Sequence, residues 1–407
     1  MSAAEQSVTA DDVAPFDPLS LTDHHAAERR LSEVRARCPV SRPHPRMHFV
    51  AAHRDVERIL LDTTTFSARS NFRLDPVNGA EGARASGALP ALDPPDHSAV
   101  RRRLLAWFAP RTLRLLEPRV RELAAAAVRE LPVDVDIDLI PTSKRLAART
   151  VYALIGAPQR DWVQLQAWSD AIHDHLPAPL EGLLEHIAMT DRLRELLDEY
   201  RAGQRTADET VISGLATAVE AGELDPVDAL VHIRQLIQAG TETTSSLIAN
   251  LLHALLSRRR RWELLLERPE LIAPAIEESL RRDAPLQYVM RTPHDATDVG
   301  GCMIEYNQQV VVGLQSANWD ESVWGPDALE FDIERERPTG HVAFGKGPHA
   351  CLGAPLARIE AHAFIHELLS HRPEIRLATG YVHELAHELM VRRPEKLLVH
   401  IPACSST

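Results

Sequence analysis

The chain has 407 residues, 44% hydrophobic and 25% charged, a balance that excludes a disordered or fibrous protein. Its formal net charge of −13 argues against nucleic acid as a general partner and against adhesion to an anionic membrane. No stretch reaches the ~20 apolar residues of a transmembrane helix, and the start has neither a basic segment nor an apolar run, so no membrane anchor or signal peptide is expected. The cysteines, Cys38, Cys302, Cys351 and Cys404, are scattered, and no two form a C-x-x-C pair. That disfavours zinc ribbons and iron–sulfur clusters and fits free thiols in a reducing cytoplasm.

Residues 1–20 read as a polar arm and residues 21–407 as one domain. Apolar spacing predicts a helix over 22–37, a short strand pair near 46–51 and a helix near 53–61. Residues 62–94 are rich in Gly, Pro, Asn and Asp and read as a long loop, a length that usually marks function. From His97 to about Asp283 the pattern is helical, with breaks at Ala109-Pro110, Leu131-Pro132, Pro158 and Leu176-Pro177-Ala178-Pro179. Within it, 226–257 forms one periodic segment far longer than the mean helix of about 11–12 residues, as expected of a central, buried helix. Short strands and irregular chain follow over 288–349, then a helix from Leu352 to about Ser370 and a strand-like end. The fold class is mainly α with small β-sheets.

The most informative stretch is Phe344-Gly345-Lys346-Gly347-Pro348-His349-Ala350-Cys351-Leu352-Gly353. Its glycines allow tight turning and close approach to a flat object. Pro355 suits the first turn of the following helix, which places Cys351 at a positive helix end, where a thiolate is favoured. A thiolate under a planar ligand is how haem iron is held when O–O cleavage is the task. In the long helix, Ala239-Gly240-Thr241-Glu242-Thr243-Thr244 is unfavourable for helix, and a kink or widened turn is expected there.

Phe344, Gly347, His349, Cys351 and Gly353 match the haem-ligand signature of the cytochrome P450 family, and the chain resembles that family over nearly its whole length. The resemblance implies the P450 fold for residues 21–407, with haem b held between the long central helix and the cysteine-loop helix, and Cys351 as its axial thiolate and metal ligand. It implies that Ala239, Gly240, Phe344, Gly345, His349 and Gly353 line the cofactor. It makes Glu242 and Thr243 the acid and alcohol that deliver protons. Asp93-Pro94-Pro95-Asp96-His97 with Arg101, together with Arg291, resembles the family's clamps on the haem propionates. Glu278, Arg281 and Arg335 take the structural roles of the family's Glu-x-x-Arg helix and following arginine, bracing the cysteine loop. Trp319 departs from the family, which usually has arginine there, leaving open an effect on donor docking or on local packing only.

Periodicity and position nominate Leu236, Ala239, Leu247, Leu286, Val289, Met290, Leu389 and Met390 as pocket walls, with the link near 176–180 as a mobile lid. Arg101, Arg102, Arg103, Arg111, Arg114 and Arg119, joined by Lys346, are either a solvated face or a docking site for an acidic electron donor. The resemblance implies a monomeric, cytoplasmic haem-thiolate monooxygenase of secondary metabolism. It would use O2 and electrons from a separate ferredoxin-type donor to hydroxylate a small, largely apolar molecule. The alternatives are oxidative C–C or C–N coupling, a peroxide-driven enzyme, or a haem-binding sensor; the retained Glu242–Thr243 pair disfavours the last two.

Overall fold

Asp225 starts the longest element: its Oδ1 accepts from Val227 N at 2.7 Å, and Pro226 occupies the first turn, where its missing N–H costs nothing. The helix then runs unbroken over Pro226–Leu256, 31 residues, most of them buried. The computed structural model describes residues 14–71, 87–175, 183–206, 208–336 and 338–403. The link at 176–180, most of the polar arm, the middle of the 62–94 loop and Cys404 lie outside them.

Helices Pro110–Arg129, Ile140–Ile155, Leu184–Arg201 and Ala354–His371 surround the long helix, and their apolar faces form the main hydrophobic core with it. The long helix is not interrupted at the stretch where a kink or widened turn was expected. Instead, Thr241, Thr243 and Ser246 each donate to the carbonyl four residues back, at 2.8 Å in every case, while the helix continues. Gly240 has a packing reason: a Cβ there would lie 2.5 Å from Val151 Cγ2, so the glycine lets helix Ile140–Ile155 approach.

The strand pair begins earlier than expected, as β1 Val40–His44 and β2 Met47–Val50. With β3 Phe66–Ser67, β5 Tyr288–Pro293 and β8 Gln309–Gly313 they form a five-stranded sheet in the order β1-β2-β8-β5-β3, only the β2–β8 pair being parallel. Two small sheets complete the strands: β4 Asp136–Asp138 with β10 Leu398–His400 and β9 Arg376–Leu377, and the hairpin of β6 Thr297–Val299 and β7 Cys302–Ile304. The expected 22–37 helix is divided into Leu21–His25 and Ala27–Arg37. Residues at the end of the arm are docked: Phe16 is buried against Phe49, and Tyr288 donates its hydroxyl to Pro18 O at 3.0 Å.

Alternation along β5 sorts two expected pocket residues. Met290 faces the same core cluster as Tyr288, Phe49 and Trp319, which corrects its assignment as a pocket wall, while Val289 and Arg291 point to the other face. Leu247 is likewise enclosed in the main core. Trp319 is fully buried between the guanidinium groups of Arg282 and Arg392, 5.3 and 5.2 Å from its ring, and its Nε1 donates to Arg282 O at 2.7 Å. Its departure from the family pattern is therefore a matter of packing.

At the end of the long helix His253 stacks on His383, ring centroids 3.8 Å apart. Burial, helped by His383, holds His253 down at about 4. Below its ordinary value of 6.5 the unfolded chain takes up a proton that the folded chain refuses. This histidine therefore leaves stability untouched above that pH and lowers it as pH falls toward 4. The denaturant midpoint is expected to drop between neutral and mildly acidic pH, and to drop less in His253→Gln; an equal drop in both would remove His253 as a cause.

Candidate active site

The cysteine loop is built on two glycines in the left-handed region, Gly345 at φ +67° and Gly347 at φ +70°. Gly347 is also sterically required, because a Cβ there would lie 3.0 Å from the carbonyl oxygen of Leu60. Cys351 N donates to Phe344 O at 2.8 Å and closes the loop. The helix that follows begins at Ala354, with Pro355 in its first turn. Cys351 is accessible yet enclosed, which fits a residue facing into a cleft inside the protein. Burial pushes its thiol up, against the backbone N–H groups of Gly353 and Ala354 and the charges of Arg101 and Arg358.

Phe344 is half-buried under a guanidinium: Arg358 Cζ sits 4.7 Å from its ring centre. Arg358 is gripped through Nε and Nη2 by Glu277, at 2.6 and 2.9 Å, and Glu277 also meets His341 Nε2 at 3.3 Å. Burial alone would raise the Glu277 carboxyl, but these two partners hold it at about 2. None of Glu277, His341 and Arg358 was assigned a role from sequence; isolated charged residues at that separation carry no readable signal.

Glu278, Arg281 and Arg335 come together as expected. Arg281 donates to both oxygens of Glu278 at 2.8 and 2.7 Å, and Arg335 Nε reaches the same carboxylate at 3.2 Å. The pair is fully buried, and Arg281 also donates to the carbonyls of Asn318, Ala328 and Glu330.

His97, Arg101, Arg291 and His349 converge. The rings of His97 and His349 are 4.0 Å apart, and the Arg101 and Arg291 charges both act on each ring. Burial, then Arg291, His97 and Arg101, push His349 down to about 3. Both ring nitrogens of His97 and Nε2 of His349 are buried without a hydrogen-bond partner. Arg291 is buried and donates only to Met290 O, at 2.7 Å, among the described residues. The acid facing this group is Asp93, which is already engaged by Ser67 Oγ at 2.6 Å and Ala68 N at 2.7 Å.

On the long helix Ala239 is exposed and Thr243 half-exposed amid buried neighbours, so this turn borders a cleft. Thr243 Oγ1 donates to Ala239 O, while Glu242 points away to Lys144 of helix Ile140–Ile155. Leu286, Leu389 and Met390 are half-buried, Leu236 and Val289 buried. The arginine patch is smaller than its sequence: Arg101 turns to the histidines, Arg103 caps Glu223 O, and Arg119 pairs with Glu122, leaving Arg102, Arg111 and Arg114 unpaired among the described residues. Lys346 is tied to Glu57.

A family model for cytochrome P450 matches residues 265–372. The erythromycin C-12 hydroxylase of Saccharopolyspora erythraea is 31% identical over 363 residues, covering 86% of this chain and 88% of that protein. The chain belongs to the cytochrome P450 family. The vitamin D(3) 25-hydroxylase of Pseudonocardia autotrophica is 35% identical over 294 residues, 71% of each chain. The solved P450 structure of CYP109Q5 from Chondromyces apiculatus shares the fold at a TM-score of 0.84 and 27% identity, covering 97% of this chain and 100% of its own. Such relatives are named hydroxylases and oxygenases, and this chain is a P450 monooxygenase of the haem-thiolate family. Among the described residues, no helix is long and apolar enough to cross a membrane.

The P450 loop gives a direct test. Gly347→Ala should cost about 1–2 kcal/mol for the left-handed backbone alone, plus the clash with Leu60 O. Gly380 has φ +78° with nothing within 4 Å, so Gly380→Ala should show only the backbone cost. Equal losses of denaturant midpoint in the two variants would mean that the Leu60 contact is unimportant.

Proposed function

We propose that Cys351 is the axial thiolate of a bound haem b, with His97, Arg101, Arg291 and His349 holding its propionates. The observation that carries this reading is the cluster of unpaired, buried donors beside an accessible cysteine. A buried guanidinium and two buried imidazoles with unpartnered ring nitrogens are costly where acceptors are few, and two carboxylates at one edge of a flat ligand would accept from the guanidinium and from each imidazole N–H. When bound, the haem supplies dioxygen activation and the oxidising equivalent.

The chain's own residues then hold and move protons. Thr243 spends its hydroxyl proton on Ala239 O, which leaves its oxygen lone pairs free to accept from water in the cleft. Glu242, one residue back and facing the opposite way, is the carboxylate from which protons reach that turn. Arg358 and the N–H groups of Gly353 and Ala354 offset the negative charge that metal ligation places on the sulfur. Exposed Ala239 and half-buried Leu286 and Leu389 are apolar, and as walls of one pocket they would suit hydroxylation of a small, largely apolar molecule. Relatives named for erythromycin and mycinamicin support a role in secondary metabolism. Exposed Arg102, Arg111 and Arg114 support docking of an acidic, ferredoxin-type donor to a cytoplasmic monomer.

The reduced carbon-monoxide complex tests the ligand: a thiolate-type Soret band is expected, and it should vanish in Cys351→Ala; a histidine-type band in the parent protein would defeat the assignment. Arg291→Leu should load less haem and lose it faster. Thr243→Ala should keep its haem but divert electrons to peroxide, and an unchanged product yield per electron pair would refute its role.

A further inference from the structure

Glu242 is the inner end of a chain of charges. Its buried carboxylate meets Lys144 Nζ on helix Ile140–Ile155, and the same ammonium lies 3.0 Å from Asp170 Oδ1 on helix Trp162–His175. One turn along, His173 Nε2 is 3.4 Å from Glu388 Oε2, the residue before Leu389 and Met390, and Glu388 is itself held by Arg393 Nη2 at 2.6 Å. Side-chain exposure rises outward from 10% at Glu242 to 22% at Lys144 and 40% at Asp170. Burial opposes the Lys144 charge, but the two carboxylates outweigh it, and Glu242 also reinforces the charge on His173.

We infer that Lys144 is a positioning residue for Glu242, keeping the carboxylate aimed and, through Asp170, tying it to helix Trp162–His175. The inference rests on the proposed role of Glu242 in proton delivery. The physical reason is an asymmetry. Asp170 can exchange Lys144 for water, whereas the buried Glu242 carboxylate, without Lys144, loses the cation that holds it in place. One ammonium serving two carboxylates on different helices also makes the aim of the acid depend on where helix Trp162–His175 sits.

The test joins amide hydrogen exchange of helix Trp162–His175 in the resting, haem-loaded protein to product formed per electron pair. Lys144→Met should speed that exchange by about fivefold, the opening expected when a partly buried ion pair is lost, whereas Glu242→Gln, which leaves the Lys144–Asp170 pair in place, should not. Lys144→Arg should restore the parent rate. Lys144→Met should also lower product yield to the level of Glu242→Gln at unchanged haem content. Parent-like exchange and yield in Lys144→Met beside an uncoupled Glu242→Gln would overturn the inference and leave the proton-delivery reading intact; a fully coupled Glu242→Gln would instead remove that reading. Should Lys144→Met fail to load haem, Asp170→Asn decides: faster exchange supports the tether, and the parent rate overturns it.

Discussion

The buried carboxylate–guanidinium pair of Glu278 and Arg281 is the constraint on which the rest of the active-site architecture hangs. Neither side chain has measurable exposure, so each depends wholly on protein partners. A buried ion pair is weak evidence of stability, because desolvation cancels much of its attraction. Its effect here is to specify a path for chain that has no regular structure of its own. Arg281 collects the carbonyls of Asn318, Ala328 and Glu330, and Glu278 collects the N–H of Asp332 and the guanidinium of Arg335. Those are backbone groups, at a helix end and in the irregular chain after it, that these two side chains supply with partners. The same stretch delivers the cysteine loop.

The neighbouring residue extends the brace. Glu277 and Glu278 are consecutive on helix Ile272–Arg282, yet they serve different clients. Glu278 fixes the chain entering the loop, while Glu277 fixes the helix leaving it through Arg358, whose guanidinium lies over Phe344. Phe344 in turn accepts the N–H of Cys351. One helix thus sets both sides of the sulfur's cradle, and the left-handed glycines turn the chain between them.

What was legible in the sequence shared one property: it was local. The 31-residue helix showed in its period, and the loop in glycines whose positive φ few other residues accept. What was illegible depended on partners far along the chain. β4 has three residues and exists only because β10 pairs with it, more than 250 positions away, so it was read as part of a helical region. Met290 was placed on the pocket because its neighbours were, although alternation in a strand sends adjacent residues to opposite faces. Gly240 also makes room for Val151 of another helix, a packing role its own stretch of sequence does not announce. Lys144 gave no signal at all, since a lysine in an amphipathic helix is ordinarily solvated. The convergence of His97, Arg101, Arg291 and His349 was anticipated through resemblance; spacing alone could not have joined residues from three separate segments.

The two charge networks differ in hydration, and the difference suits the roles proposed for each. Beneath the cysteine, Glu278, Arg281 and Glu277 are buried and saturated with partners, so breaking any one contact strands another charge, and the cradle stays fixed. On the opposite side, Glu242, Lys144 and Asp170 form a gradient toward solvent, in which each partner can be replaced by water at progressively smaller cost. A ligand-holding site gains from the first arrangement, because the sulfur must not move. Proton transfer gains from the second, because a carboxylate that never exchanged partners could not be recharged from solvent.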